Sequence, residues 1–330
     1  MGVNPLLFLS AADVRSALSM REAIDAMKAA FVALSTGAAV VPLRSHVEVP
    51  GDHGRLLLMP CCLPEMNALS LKAVTVFDVN PARGLPRIQA LVTLYDGHTG
   101  QPLAIMDGAA VTALRTGAAS GLATDLLARA DSVTAGILGA GVQARTQLEA
   151  VCAVRAIRAA RVCDVSRAAA EDFAVAMRAQ LGIDIRPVAN AAEAVAAADI
   201  VCTATSATVP VFADADLSPG THINGVGSYL PEMQEVPADT VLRARVIVDH
   251  RSSALAEAGD LLIPIRQGRY SADRIAGELG EVASGRKPGR VSPDEITFFK
   301  SVGVAVQDLT AAVRIHANAQ RLGLGTTVRL

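Results

Sequence analysis

The stretch Val133-Thr-Ala-Gly-Ile-Leu-Gly139-Ala-Gly141-Val-Gln143-Ala144 decides the fold. An apolar strand runs into GxGxxA and then into a helical pattern, the order a dinucleotide-binding turn requires. The first glycine permits the tight turn, the second lets a pyrophosphate approach the backbone, and Ala144 lets the helix pack closely. Amides at the helix N-terminus would meet the phosphates. Asp164 ends the next apolar run, RVCDV, where it can accept hydrogen bonds from an adenosine ribose and repel a 2′-phosphate. NAD(H) is therefore the favoured cofactor. NADP(H) stays second because Arg167, three residues on, could pair with that phosphate.

Outward from this turn, the chain from Ser132 onward alternates short apolar runs (VTAGILG, RVCDV, IDIRPV, DIVCTAT, THINGVG, RVIVD) with Ala-rich helical stretches at 142–154, 167–180 and 191–197. That alternation is the signature of βαβ units and a parallel sheet. Residues 41–107 differ: LLLMP, LSLKAVTVF, IQALVTLY and PLAIMD read as strands of a mixed or antiparallel sheet, two of them joined by the turn at 96–100. Residues 108–129 read as a helix. Apolar positions at helical spacing over 10–34 predict that the chain opens with helix, capped at Ser10 or Ser19. The tail at 303–322 is again helical and is expected to rejoin the first domain, with 285–293 a surface loop.

Composition bounds the function. The chain has 330 residues, long enough for two domains, and 30 Lys plus Arg against 32 Asp plus Glu, so no field gathers nucleic acid or anionic lipid. Apolar residues make up 51% and aromatics 3%, so the interior is built from Ala, Val, Leu and Ile, which suits helices laid on a sheet. Mean hydropathy is +0.37, yet no uninterrupted apolar stretch reaches the ~18 to 20 residues of a membrane span. The start has no basic n-region and only a short apolar run, so a cytoplasmic location is expected. Cys61, Cys62, Cys152, Cys163 and Cys202 lack metal spacing; the vicinal pair beside Pro60 reads as free thiols in a turn.

Three cations, Arg44 in PLRSH, Lys72 in LSLKAV and Arg115 in TALRTGAAS, lie within or beside apolar runs, where an unpaired charge is costly. Each needs an anionic partner: a substrate carboxylate, a cofactor phosphate, or a carboxylate of the chain such as Glu48 or Asp78. The histidines His46, His53, His98, His222, His250 and His316 show no metal spacing; His46, beside Arg44, is the one candidate acid or base. A serine-hydrolase elbow, GxSxG, is absent from the sequence.

With these residues assembled, the chain resembles the ornithine cyclodeaminase/mu-crystallin family over nearly its whole length. The match rests on the Lys72 segment with Asn80-Pro-Ala-Arg-Gly84, on Thr112-Ala-Leu-Arg115-Thr-Gly-Ala-Ala-Ser120, on GAGVQA, and on Phe299-Lys-Ser-Val-Gly-Val-Ala-Val-Gln-Asp308-Leu. The resemblance implies an α/β chain: a Rossmann-type doubly wound parallel sheet (116–305) inserted in an α+β substrate-binding domain (1–115 plus 306–330) that also forms a homodimer. It implies that Arg44, Lys72 and Arg115 hold a substrate carboxylate. The expected cofactor set is Arg115, Thr116, Gly139, Gly141, Val142, Gln143, Asp164, Val165, Ser166, Arg167, Thr203, Val226, Lys300 and Ser301, the last two bordering the nicotinamide.

One departure directs the choice of reaction. Ornithine cyclodeaminases carry an Asp two residues before a Pro, and read back from Pro231 and Glu235 that position is Tyr229. A phenol with a pKa near ~10 supplies no negative charge to a side-chain ammonium at neutral pH. The resemblance therefore points to NAD(P)H-dependent reduction of a cyclic imino acid such as 1-pyrroline-2-carboxylate. Ornithine cyclodeamination, amino-acid dehydrogenation and non-catalytic ligand binding are the alternatives. The imine proton comes with the substrate or from Lys72, Tyr229 or a water, and the sequence leaves these open.

Overall fold

The computed structural model describes residues 5–50, 54–196 and 198–329; His53 and Ala197, the last residue of the helix expected at 191–197, lie outside them. The chain divides into two compact units, Met1–Arg115 with Val304–Leu330, and Thr116–Gly303.

In the first unit β1 (Pro5–Leu9) precedes α1 (Ala11–Ala17) and α2 (Met20–Ser35), so the described chain opens with a strand rather than the expected helix. Both helices begin as anticipated at serines: Ser10 and Ser19 form reciprocal capping boxes with Asp13 and Glu22. Next come β2 (Ser45–Val49), β3 (Gly54–Leu63), β4 (Ala68–Phe77), β5 (Ile88–Asp96) and β6 (Pro102–Asp107), then α3 (Gly108–Leu127), which carries the chain across the boundary. After the second unit, α11 (Ala305–Leu322) and β15 (Thr326–Arg329) complete the first. The sheet order is β15-β1-β6-β5-β4-β3-β2, with β1 parallel to β6 and every other pairing antiparallel. In β4 burial alternates strictly, so Ala68, Ser70, Lys72, Val74 and Val76 share the inward face. α11 packs on β3, β4 and α2. Cys61 and Cys62 lie in β3, not in a turn; Cys61 faces inward, and burial pushes its thiol up to about 12, far from reactive.

The second unit runs β7 (Thr134–Leu138), α4 (Val142–Val154), β8 (Ala159–Cys163), α5 (Arg167–Leu181), β9 (Asp184–Pro187), α6 (Ala191–Val195) and β10 (Ile200–Thr203). It continues with β11 (His222–Gly225), α7 (Ala238–Arg243), β12 (Arg245–Val248), α8 (Arg251–Glu257), α9 (Gly259–Arg266), β13 (Gly277–Glu278), α10 (Leu279–Ala283) and β14 (Thr297–Lys300). These strands form a parallel sheet in the order β13-β12-β14-β11-β10-β7-β8-β9. Every residue of β10, β11 and β14 is buried, as expected of strands covered on both faces. Leu138, Val201, Ile223 and Phe298 belong to one hydrophobic core, Ile137, Ile200 and Cys202 to another. The strand order reverses between β7 and β10, the switch point at whose carboxyl edge a doubly wound sheet binds its ligand.

Candidate active site

The GAGVQA turn sits at that switch point. Gly139 has φ +95°, and a Cβ there would lie 2.6 Å from the Ala204 carbonyl oxygen that follows β10, so only glycine fits. Gly141 is the N-cap of α4 without a side-chain cap, which leaves the first helical amides available to an anion. A Cβ on Gly141 would meet nothing within 4 Å, while Ala144 is fully buried beneath it. The turn therefore fits a pyrophosphate. Gly141→Ala should leave the melting temperature nearly unchanged yet weaken NADH binding at least ~10-fold, by placing a methyl where a phosphate approaches. Undiminished affinity in a fluorescence titration would remove the turn from the cofactor site.

Asp164, just past β8, braces the turn: Oδ2 accepts from Ala140 N at 2.8 Å and Oδ1 from Ser166 N at 2.8 Å, with lone pairs left for ribose hydroxyls. Ser166 caps α5, and Val165 between them is fully exposed. Arg167 is paired with Glu171 at 2.7 Å on the exposed face of α5. Thr116 offers its carbonyl to Gln147 Nε2 at 3.3 Å, holding α3 to α4.

Glu235 gathers the loops at the carboxyl ends of β10 and β11. Its Oε2 accepts from Thr203 Oγ1 (2.9 Å), Gly227 N (2.7 Å) and Ser228 N (3.0 Å), and its Oε1 from Thr205 N (2.6 Å) and Thr205 Oγ1 (2.8 Å). Burial and the neighbouring Asp260 push this carboxyl upward, opposed by Lys300 and the donors of Thr205. Val226 N bonds to the Thr203 carbonyl, and half-buried Tyr229 follows on the same loop. Asp249 plays the equivalent part after β14, where Oδ2 accepts from Ser301 Oγ (2.9 Å), Val302 N (2.8 Å) and Gly303 N (2.8 Å). The Lys300 side chain is fully buried with Nζ 2.9 Å from Asp260 Oδ2.

In the first unit the structure brings Lys72 and Arg115 together on one carboxylate that the sequence reading had not singled out. Asp308 Oδ1 lies 3.1 Å from Lys72 Nζ and 3.3 Å from Arg115 Nε, all three residues being buried. The expected partners are engaged elsewhere or exposed: Asp78 pairs with Arg87, and Glu48 is exposed on β2. Gln307, at the third position of α11, accepts from Arg115 Nη1 (3.0 Å) and from Val304 N (2.9 Å), closing the helix start. Asp308 in the same first turn is favoured by the helix dipole. Burial pulls Lys72 down to about 8, with Asp308 opposing and the Arg115 and Arg44 charges adding to the effect. Arg44 is thus near enough to be felt, whereas His46 is exposed on β2.

The three buried charges, two cations and one carboxylate, sum to a single positive charge. Ser70 Oγ, Gln307 Nε2 and Asp308 Oδ2 are buried and meet no hydrogen-bond partner among the described residues. A carboxylate-bearing ligand should bind with a Kd that rises above pH about 8, where Lys72 loses its proton, by up to ~10-fold per pH unit. Calorimetric titration with pyrrole-2-carboxylate between pH 7 and 10 checks this, and a flat profile would exclude Lys72 from the anion site. Among the described residues no group of three His, Cys, Asp or Glu could hold a metal, and no helix is long and apolar enough to cross a membrane.

The chain thus combines a doubly wound sheet that carries an intact dinucleotide turn with a buried cluster of two cations and one carboxylate. The chain belongs to the ornithine cyclodeaminase/mu-crystallin family, whose sequence model matches residues 5–322. It is 39% identical over 324 residues to a Delta(1)-pyrroline-2-carboxylate reductase of Bacillus cereus, covering 98% of this chain and 99% of the relative. Among solved structures it resembles the Thermococcus litoralis Delta(1)-pyrroline-2-carboxylate reductase in complex with NADH and L-proline. That likeness has a TM-score of 0.94 and 44% identity, over 98% of this chain and 100% of the other. An archaeal alanine dehydrogenase dimer with bound NAD follows at TM-score 0.92 and 35% identity, over 99% and 100%.

Proposed function

We propose that the chain is an NADH-dependent reductase of a small cyclic ketimine carboxylate, 1-pyrroline-2-carboxylate or a close analogue, giving the amino acid. The observation that carries this reading is the buried cluster of Lys72, Arg115 and Asp308 with its surplus positive charge. Relatives named as pyrroline-2-carboxylate reductases, one of them with NADH and L-proline bound, support the same substrate and cofactor. Tyr229 in place of a carboxylate supports reduction over ornithine cyclisation.

Arg44, Lys72 and Arg115 hold the substrate carboxylate, and that anchorage fixes the C=N carbon next to it, so orientation supplies much of the rate. Gly139, Gly141, Val142 and Gln143 hold the pyrophosphate, Asp164 the ribose, and Thr203, Val226 and Ser301 line the carboxyl edge beyond. Bound there, reduced nicotinamide supplies a hydride to the C=N carbon. A protonated imine needs nothing further to become the amine; an unprotonated one takes its proton from Lys72, which burial pulls down to about 8, within reach of neutrality. The chain also forms a homodimer, supported by the dimeric alanine dehydrogenase and by exposed Val40, Leu43, Val47, Leu85, Ile88 and Leu91; light scattering giving the mass of one chain would oppose this.

The test of function is NADH oxidation with 1-pyrroline-2-carboxylate and with its six-membered homologue. Turnover with either is expected, and none with both overturns the reading. Proline formed from ornithine without added reductant would support the cyclodeaminase instead.

A further inference from the structure

Asp308 has one carboxylate oxygen too many for a mere counter-ion. Oδ1 alone serves both cations, at 3.1 Å from Lys72 Nζ and 3.3 Å from Arg115 Nε, while Oδ2 is buried and meets no donor among the described residues. A buried acceptor left unmade costs free energy, so a ligand that donates to it is favoured. The same cluster also offers the opposite polarity: Lys72 keeps further N–H donors, and Gln307 Nε2 is a buried donor that meets no acceptor among the described residues. Donors and one lone acceptor in a cluster joined through Arg115 match a molecule that carries a carboxylate and an N–H on the same carbon. A protonated ketimine carboxylate is such a molecule. A 2-oxo acid is not, because its carbonyl oxygen would face the carboxylate oxygen of Asp308, acceptor against acceptor.

We propose that Asp308 is the residue that selects C=N over C=O, its Oδ2 accepting the substrate's N–H while Gln307 joins Arg44, Lys72 and Arg115 on the carboxylate. This inference rests on the reading of the chain as an imino-acid reductase. Asp308 undergoes no covalent change. The hydride adds to the carbon, the nitrogen keeps its hydrogen, and the N–H remains bonded to Oδ2 in the product amine.

Two measurements test it. In the wild-type protein with NADH bound, pyrrole-2-carboxylate and furan-2-carboxylate are compared as competitive inhibitors; they share ring size, planarity and charge and differ in N–H against O. The pyrrole is expected to bind at least ~10-fold more tightly, since a site built to pair an N–H rejects the analogue lacking it. Equal affinities overturn the proposal without any variant having to fold. In Asp308→Asn the amide oxygen stays on the two cations and the NH2 turns to the ligand. The ratio of kcat/KM for 2-oxopentanoate to that for 1-pyrroline-2-carboxylate should then rise at least ~100-fold, and the pyrrole preference should vanish. A purely structural Asp308 would lower both activities together and leave both ratios unchanged, which also overturns the proposal. Failure of wild-type turnover strikes the assigned reaction instead, whereas intact turnover with equal inhibitor affinities strikes Asp308 alone.

Discussion

Replacing Lys72 by methionine is expected to lower kcat/KM for the imino acid by about three orders of magnitude, or ~4 kcal/mol of transition-state stabilisation. The substitution keeps the length and most of the volume of the side chain on the inward face of β4, so little cavity forms. What it removes is charge. Lys72, Arg115 and Asp308 together carry one net positive charge; without Lys72 the remaining pair is neutral and has no surplus for a substrate carboxylate. NADH affinity should be unaffected, because every residue of the GAGVQA turn is kept. Steady-state kinetics with a parallel fluorescence titration separate the two effects. A loss below ~10-fold would mean that the substrate carboxylate is held elsewhere.

Glu235→Leu is expected to lower the melting temperature by about 10 °C, from a loss near ~4 kcal/mol at ~2 to 4 °C per kcal/mol for a domain of this size. Three backbone amides, those of Thr205, Gly227 and Ser228, lose their acceptor, as do the hydroxyls of Thr203 and Thr205. A hydroxyl can rotate to another partner, but a buried amide on a fixed loop cannot. Gly227 lies so close to the Glu235 carboxylate that a Cβ would collide with it, so the loop has no slack to close over a smaller group. Calorimetry on the purified variant checks the shift, and one under ~3 °C would show that the loops hold without this carboxylate.

Local signals were legible and remote ones were not. The strand, turn and helix at 133–154 could be read because each requirement, an apolar run, a glycine at positive φ and a small residue under the helix, falls within a few positions of the next. Lys72 could be picked out because it is a charge within an apolar run, and β4 turns it inward. Its partner could not, since Asp308 is 236 residues away and only α11 packing on β4 joins them; sequence reading turned to nearby Glu48 and Asp78 instead. Strands β1 and β15 escaped for a related reason. β1 is a five-residue apolar piece with no alternation, and its neighbours are β6 and the far end of the chain. The Lys300–Asp260 pair was equally illegible, because a motif position carries no information on which way a side chain points.

The most direct test of the central claim follows the transferred atom. With NADH deuterated at C4 on the transferred face and unlabelled 1-pyrroline-2-carboxylate, the proline produced should carry one deuterium at Cα, one for each NADH oxidised. Proline without deuterium, or no proline at all with either face of the ring labelled, would contradict hydride transfer to the C=N carbon and with it the function assigned to this chain.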